Sequence, residues 1–329
     1  MTVLITGGAG FIGSNLSARL LADGRRVRVL DDLSTGSSQN LPGGVDLVMG
    51  GVEDAESVVD ACRDAEVVFH LAALTSVTRS VRDPVSTNDV NVRGTLTVLE
   101  AARQAGVRRV VYASSSSVYG DTEVLPKHEG LPASPVSPYG VSKLAGEAYC
   151  RAFTRVHGLE TVALRFFNVF GPRQDPTSEY AAVIPRFIAR MVAGKPPVVF
   201  GDGEQTRDFT FVDDAVTACL SAADAGPDAS EEAINVSGGG RISIVALIGL
   251  LNRVLGTEIA PEHERPRTGD VRHSHADLGK AERLLGYRPS VPTEEGLVRT
   301  VAWFQRAALR AVATKPGSPM PAIPRGGRS

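Results

Sequence analysis

The stretch that decides the fold is Val3-Leu4-Ile5-Thr6-Gly7-Gly8-Ala9-Gly10-Phe11-Ile12-Gly13. Its first four residues are apolar or β-branched and are typical of a short buried strand. Glycines spaced by three residues follow the strand, and an apolar helical pattern then continues to about Asp23, before Gly24. A strand, a glycine-rich turn and a helix in this order predict a backbone that closely approaches a phosphate ligand.

An acidic residue, Asp31, follows the next predicted strand at residues 27–30. The N-terminus of the helix after the glycines would receive a pyrophosphate, because its N–H groups are unpaired and the helix dipole is positive there. A carboxylate after the second strand would accept hydrogen bonds from the adenosine ribose hydroxyls and would repel the 2′-phosphate of NADP. The glycines and Asp31 together therefore predict an NAD site.

Short apolar runs alternate with helical patterns along the first half of the chain. Strands are predicted at 47–49, 67–69, 110–112 and 162–164, and helices at 54–62, 87–105 and 139–157. The strands are apolar throughout rather than alternating, which indicates a parallel sheet covered on both faces. The fold class is therefore α/β: a Rossmann-like doubly wound parallel sheet with a smaller α/β substrate-binding domain.

The sequence pattern changes after about Phe170, and this change suggests the domain organisation. We expect an NAD-binding domain at 1–170, with a return segment at about 209–237 that adds a strand to the first sheet. Residues 171–208 and 238–313 form the expected substrate-binding domain. The tail, 314–329, is rich in Pro, Gly, Ser and Arg and is expected to be disordered.

Composition excludes several function classes. The formal charge of -2 gives no basic surface for nucleic acid. The three cysteines are too few and too scattered for a disulfide framework or a zinc site, and the six histidines show no metal-ligand spacing, so no metal is expected. No apolar run is long enough to span a membrane, and no secretory signal is seen. A cytoplasmic protein without membrane contact is predicted.

Tyr139 and Lys143 are four residues apart and share one face of a predicted helix. An ammonium beside a phenol favours the phenolate, so this pair is expected to act as a base near neutral pH. The upstream run Ser114-Ser115-Ser116-Ser117-Val118-Tyr119-Gly120 supplies hydroxyls that would share a proton with the phenol.

The glycine turn, His70-Leu71-Ala72-Ala73, the serine run and Tyr139-x-x-x-Lys143 together resemble the extended short-chain dehydrogenase/reductases. Within that group the chain resembles the NAD-dependent nucleotide-sugar epimerases and dehydratases, over about residues 1 to 310. The resemblance implies the catalytic residues Ser115, Tyr139 and Lys143. It implies the cofactor-binding residues Gly7, Gly10, Phe11, Ile12, Gly13, Asp31, Val52, Leu71, Ala72, Ala73, Tyr139, Lys143 and Phe166.

The resemblance also implies how a UDP-sugar substrate is held. Phe200 would pack on uracil, Arg207 and Arg267 would clamp the diphosphate, and Asp270 would bind the nucleotide ribose. The full implied set of substrate-binding residues is Ser115, Ser116, Tyr139, Asn168, Val183, Phe200, Arg207, Arg267, Asp270 and Ser274. One departure is visible: Gly50-Gly51 replaces a Gly-Asp pair, so the aspartate contact to adenine is expected to be absent and the Val52 backbone to serve alone.

The serine run bears on the reaction. Family members begin with oxidation of the sugar C4, but a 4,6-dehydratase carries Asp-Glu where this chain has Ser116-Ser117. A uronic-acid decarboxylase usually carries Glu at the second position. Without that acid, the expected outcome is rotation of the 4-keto intermediate and return of the hydride, which is 4-epimerisation.

The substrate is expected to be UDP-GlcNAc/UDP-GalNAc, because the small residue Ser274 stands where bulky residues exclude N-acetyl sugars in the family. UDP-Glc/UDP-Gal remain open as substrates. The serine run also resembles UDP-glucuronic acid 4-epimerases, which rank second because they generally carry Thr in place of Asn168. Another nucleotide-sugar dehydratase/epimerase and a non-catalytic NAD-binding sensor are the remaining alternatives. A homodimer through the helices at 87–105 and 139–157 is expected from the resemblance.

Overall fold

The computed structural model describes residues 2–176, 182–265 and 271–313, with side chains described as far as residue 307. Two predicted substrate residues, Arg267 and Asp270, lie outside the described residues, as does the predicted disordered tail at 314–329. The proposed domain boundaries stay a prediction.

Thirteen strands are assigned in the described part of the chain. They are β1 (Thr2–Thr6), β2 (Arg26–Asp31), β3 (Asp46–Met49), β4 (Ala65–His70), β5 (Arg109–Ser115), β6 (Glu160–Phe166), β7 (Val169–Phe170), β8 (Val198–Phe200), β9 (Thr206–Arg207), β10 (Thr210–Phe211), β11 (Glu232–Val236), β12 (Ile242–Ser243) and β13 (Glu262–Glu264).

Eleven α-helices lie between and after these strands. They are α1 (Phe11–Ala22), α2 (Ala55–Cys62), α3 (Val77–Arg82), α4 (Pro84–Asn88), α5 (Gly94–Gln104), α6 (Pro138–His157), α7 (Val183–Val192), α8 (Val212–Asp224), α9 (Ile244–Leu255), α10 (Gly279–Leu285) and α11 (Thr293–Ala313).

The central sheet has seven strands in the order β3-β2-β1-β4-β5-β6-β11. Every neighbouring pair is parallel, so the carboxyl ends of all seven strands meet at one edge. The winding direction reverses between β1 and β4, and ligands of such sheets bind in the crevice at that point. The Rossmann-like doubly wound sheet predicted from the sequence is confirmed, and β11 is the strand contributed by the return segment.

Helices cover both faces of the sheet because alternate strand residues point to opposite sides. Val3 and Ile5 of β1 pack on the face covered by α1 and α8. Leu4, between them, packs on the opposite face, which α2, α5 and α6 cover. Burial on both sides accounts for the continuous apolar runs that the strands show in the sequence.

The remaining strands form three small pairs: β7 with β10, β9 with β12, and β8 with β13. Together with α7 and α9 they stand beside the carboxyl edge of β6, because β7 follows β6 after two residues. The apolar core is continuous between this part and the sheet, since Phe187 of α7 and Leu247 of α9 belong to the same buried cluster as Val3.

One predicted helix differs in detail from the structure. The pattern at 87–105 predicts a single helix, whereas the structure has α4, a π-helical turn at Asp89–Arg93 and then α5. The buried side chain of Asn91 lies in the π-turn and bonds to the neighbouring loop and to α6. Such bulges are frequent at functional sites. Among the described residues, no helix is long and apolar enough to cross a membrane.

Gly7 provides a test of the turn. Its φ is +71°, and a Cβ added there would lie 2.6 Å from the backbone nitrogen of Ala72. We expect Gly7→Ala to lower the free energy of unfolding by about 3 kcal/mol and to weaken NAD binding, because the β4 loop cannot move away without opening the cleft. Thermal melts with and without NAD measure both effects.

Gly24→Ala is the matched control, since Gly24 has φ +75° but nothing within 4 Å of an added Cβ. It should cost about 1 kcal/mol from the left-handed backbone alone and leave NAD binding unchanged. Equal losses of unfolding free energy and of NAD binding in the two variants would show that the close approach of Gly7 to the loop after β4 is unimportant.

Candidate active site

The glycine turn leads into α1 without a side-chain cap. Gly10 precedes α1 as its N-cap and carries no side chain that could accept from the first helical N–H groups. Gly13 lies against Gly7, since a Cβ at Gly13 would be 2.3 Å from the Gly7 carbonyl oxygen. The first turn of α1 is therefore open to an anion, and its environment suits a pyrophosphate.

Asp31 ends β2 beside this turn. Its carboxylate accepts hydrogen bonds from the Ala9 N–H at 2.9 Å and the Leu33 N–H at 2.8 Å. Burial raises the pKa of this carboxyl, although both hydrogen bonds act in the opposite direction. Asp31 thus ties the glycine turn to the loop after β2, and it lines the cleft.

A cavity of about 820 Å³ runs along the carboxyl edge of the sheet. All the predicted cofactor residues line it, namely Gly7, Gly10, Phe11, Ile12, Gly13, Asp31, Val52, Leu71, Ala72, Ala73, Tyr139, Lys143 and Phe166. Gly50 and Gly51 line it beside Val52, so no carboxylate is offered at those two positions. The residues present fit a dinucleotide.

The predicted catalytic residues stand at the other end of this cavity. Ser137 caps α6 by accepting a hydrogen bond from the Gly140 N–H at 3.1 Å, which places Tyr139 in the first turn. Ser115, at the end of β5, lies close enough to the Tyr139 phenol to lower its pKa. Lys143 lies one turn further on, with its Nζ 5.9 Å from the centre of the Tyr139 ring and donating to the Ala113 carbonyl at 2.8 Å.

Burial shifts the pKa values of the predicted acid–base pair. Burial raises the pKa of Tyr139, opposed by its hydrogen bond with Ser115. Burial also lowers the pKa of Lys143 to about 7. Burial therefore acts against both charged forms, and the base expected from the spacing stays a prediction.

A second cavity of about 250 Å³ continues from the first. Four predicted substrate residues line it: Asn168, Val183, Phe200 and Arg207. Asn168, Val169 and Ala182 line both cavities, so the two spaces meet at these residues. Asn168 has an unusual φ of +24°. The predicted nucleotide end thus adjoins the predicted catalytic end.

The two remaining described substrate residues, Ser116 and Ser274, lie in different places. Ser116 lines the larger cavity next to Ser115. Ser274 is buried, and its N–H donates to the Thr206 carbonyl at 3.1 Å beside Arg207. It lies among the described residues that line neither cavity. Its position relative to a bound sugar stays a prediction.

Several polar residues of the site were missed by the sequence reasoning. Asn91 accepts from the Leu74 N–H at 2.8 Å and donates to Ser142 of α6 at 3.0 Å, which joins the loop after β4 to the catalytic helix. Arg186 of α7 lines the smaller cavity, with its guanidinium carbon 5.8 Å from the centre of the Phe200 ring. Glu147 of α6 was also missed, although it acts on the pKa of Lys143. It lies eight residues after Tyr139, so the helical spacing that pairs Tyr139 with Lys143 could have predicted that it shares their face.

His70 is buried behind the cleft rather than in it. Its ring nitrogens contact the hydroxyls of Thr6 at 2.7 Å and Thr95 at 2.9 Å. Burial lowers the pKa of His70 to about 3, so the ring is neutral. In the described ranges no group of three or more His, Cys, Asp or Glu side chains could hold a metal ion.

Residues 3–237 match the NAD dependent epimerase/dehydratase family. The chain is 43% identical over 312 residues to a UDP-glucose 4-epimerase of Mycolicibacterium smegmatis, covering 93% of this chain and 99% of the relative. A solved UDP-N-acetylglucosamine 4-epimerase of Methanobrevibacter ruminantium, in complex with UDP-N-acetylmuramic acid, superposes with a TM-score of 0.89 at 38% identity, covering 93% of this chain and 98% of that one. A solved UDP-glucuronic acid 4-epimerase of Bacillus cereus, in complex with UDP-glucuronic acid and NAD, superposes with a TM-score of 0.86 at 31% identity. The match covers 93% of this chain and 100% of that one.

Proposed function

The chain belongs to the NAD-dependent epimerase/dehydratase family as an NAD-dependent nucleotide-sugar 4-epimerase, and we propose that its principal substrates are UDP-GlcNAc and UDP-GalNAc. The observation that carries the proposal is the junction of the two cavities at Asn168, which joins the Ser115–Tyr139–Lys143 end to the Phe200–Arg207 end. A hexose bridging these ends would place its ring at the phenol of Tyr139.

In the proposed reaction Tyr139 takes the proton of the sugar 4-hydroxyl and later returns it to the same oxygen. NAD⁺ held along the glycine turn and Asp31 would supply the reversible hydride acceptor for the sugar C4. Ser115 orients the phenol from the end of β5. Lys143 holds positive charge next to the phenol, which favours proton transfer from the sugar.

Ser116 and Ser117 support epimerisation over dehydration. Both line the cavity beside Ser115, and neither hydroxyl has the acidity needed to expel a sugar hydroxyl group. A 4-keto intermediate at this end therefore meets serine hydroxyls where a dehydratase would offer carboxyl groups.

The small side chain of Ser274 supports an N-acetylated substrate, because it stands where the family resemblance places bulky residues that exclude N-acetyl sugars. Ser274 is buried and donates its N–H to the Thr206 carbonyl next to Arg207. UDP-Glc and UDP-Gal are proposed as secondary substrates. UDP-glucuronic acid 4-epimerisation is the second candidate, which the serine run at 114–117 favours. The catalytic trio, assembled at one end of the cleft, weighs against a non-catalytic sensor.

The phenol of Tyr139 gives the sharpest test of the reaction. Tyr139→Phe removes the acid–base group and keeps the ring, so kcat should fall by at least about 10³-fold while the Kd values for NAD and UDP-GlcNAc change less than about threefold. Tyr149→Phe is the matched control, because Tyr149 lies on the outer face of the same helix. It should retain full activity; a Tyr139→Phe enzyme with more than a few per cent of activity would exclude Tyr139 as the base.

Substrate choice is tested by incubating the enzyme with UDP-GlcNAc, UDP-Glc and UDP-glucuronic acid and separating the C4 epimers chromatographically. We expect conversion of UDP-GlcNAc with the highest kcat/KM. Ser274→Tyr should lower kcat/KM for UDP-GlcNAc at least about tenfold more than for UDP-Glc, because bulk at this position would crowd the N-acetyl group. Exclusive conversion of UDP-glucuronic acid would establish the second candidate, and a 4-keto-6-deoxy product would exclude epimerisation.

We further propose that the protein is a cytoplasmic homodimer. The outer face of α6 carries an apolar stripe at helical spacing, made of the half-buried Leu144 and Ala145 and the exposed residues Val141, Ala148, Tyr149 and Ala152. An exposed apolar stripe of this kind suits pairing with a second copy of the same helix. The three cysteines are free and buried, which suits a reducing compartment.

Ala148→Glu tests the dimer, because it places a charge in the middle of the stripe. We expect the sedimentation mass to fall from that of two chains to that of one. Ala246→Glu, at an exposed helical alanine of α9, should leave the mass unchanged. A single-chain mass for the unaltered protein would contradict the dimer.

A further inference from the structure

A buried ion pair lies directly beneath the catalytic residues. Glu147 of α6 and Arg165 of β6 form two parallel hydrogen bonds, Nε to Oε1 at 2.8 Å and Nη2 to Oε2 at 2.7 Å. Their side chains are only 4% and 7% exposed. The hydroxyl of Ser114, on β5, donates to the same carboxylate at 2.5 Å. The pair therefore joins one helix and two strands away from solvent.

Each member of this cluster is adjacent to a proposed site residue. Ser114 precedes Ser115, and Arg165 precedes the cofactor residue Phe166. The register of the sheet pairs Ser114 with Arg165 across β5 and β6. Glu147 lies one helical turn beyond Lys143. Fixing these three side chains to one another thus fixes where the phenol, the ammonium and the serine hydroxyl stand.

The same pair extends to the turn that carries the serines. The guanidinium of Arg165 lies 4.8 Å from the centre of the Tyr119 ring. Tyr119 follows the serine run and donates through its hydroxyl to the Asn235 side chain at 2.7 Å. The elements on three sides of the catalytic end are therefore linked through one arginine.

Glu147 also favours the charged form of Lys143. The groups that face the ammonium are Tyr139, Glu147 and Cys150 from α6, Tyr112 from β5 and His70 from β4. Burial raises the pKa of the Cys150 thiol and of the Tyr112 phenol and lowers that of His70 to about 3, so all three are neutral. Glu147 is the carboxylate among the described groups facing Lys143, and it favours the charged ammonium.

We propose that Glu147 is a positioning residue of the epimerase site, which through its buried pair with Arg165 and Ser114 aligns Tyr139 with Ser115 and keeps Lys143 charged. This proposal rests on the proposed roles of Tyr139 and Lys143. It requires no contact between Glu147 and the substrate, so Glu147 acts through its neighbours.

Glu147→Gln tests both parts. It keeps the shape and the bond from Ser114 but removes the charge that supports the Lys143 ammonium. Without the negative charge of Glu147 the pKa of Lys143 falls. The ammonium then loses its proton at a lower pH than in the unaltered enzyme. We expect kcat to fall about tenfold, KM for the UDP-sugar to change less than about threefold, and the alkaline limb of the kcat–pH profile to move down by about one pH unit.

The chain offers a matched control on the same two strands. Arg109 of β5 and Glu160 of β6 form another cross-strand pair, Nη2 to Oε2 at 2.7 Å, at the opposite ends of these strands. This pair is about 16 Å from the Glu147 cluster, at about 3.3 Å per residue. Glu160→Gln removes an equal charge from β6 and should leave the limb in place. An unmoved limb in Glu147→Gln, or an equal movement in Glu160→Gln, would overturn the proposal.

A second variant guards against a folding defect in Glu147→Gln, which leaves Arg165 buried without its partner. In Glu147→Gln/Arg165→Met both charges are removed, and such replacements of buried pairs are often neutral for stability. Its melting temperature should return toward the unaltered value while the alkaline limb stays shifted. Restored kcat together with a restored limb would show that the pair is only structural. Unaltered protein lacking all epimerase activity would instead reject the proposed function.

Discussion

The ammonium of Lys143 is buried to 2% exposure, and a buried charge requires partners that hold it. Its direct partner is the backbone carbonyl of Ala113, the residue after the last one in β5 that pairs with β4. Glu147, the carboxylate that favours its charge, is itself buried and is paired with Arg165. The arrangement of β5, β6 and α6 follows from this chain of requirements, because each partner must come from a different element. A cleft without these hydrogen-bonding and charged partners would not hold the buried ammonium in place.

The sequence was sufficient for the sheet and for most residues of the cleft because both depend on local signals. Gly7 and Gly13 lie where β1 turns into α1 with other backbone too close for a side chain. Asp31 is the last residue of β2, a strand that the apolar run predicts. The parallel order of the strands then brings their carboxyl ends together whatever the loops contain. Residues that act through long-range contacts were missed. Asn91 appears in sequence as a polar residue within a helical pattern, and only the π-turn shows that it faces Leu74 and Ser142.

The pKa values were not predictable from spacing either. Four residues between a tyrosine and a lysine place them on one helical face, but spacing says nothing about how deeply that face is buried. Burial acts on both groups in the direction that removes their charge, raising the pKa of Tyr139 and lowering that of Lys143 to about 7. The hydrogen bond from Ser115 and the carboxylate of Glu147 act against burial. The balance among these influences is a property of the packed site.

The division of the cleft at Asn168 explains how one scaffold separates recognition from chemistry. The residues proposed to bind the nucleotide include Phe200 and Arg207 on short strands after β6, whereas the groups proposed for proton transfer lie on β5 and α6. A substrate held at Phe200 and Arg207, as proposed, would reach the catalytic end only by its sugar, so contacts at the nucleotide end would not alter the reaction. The reaction is then set by the few side chains at the sugar end. In the proposed epimerase these are serines at 115–117, whose small size leaves a ketone room to rotate and whose weak acidity leaves its neighbouring carbons unchanged.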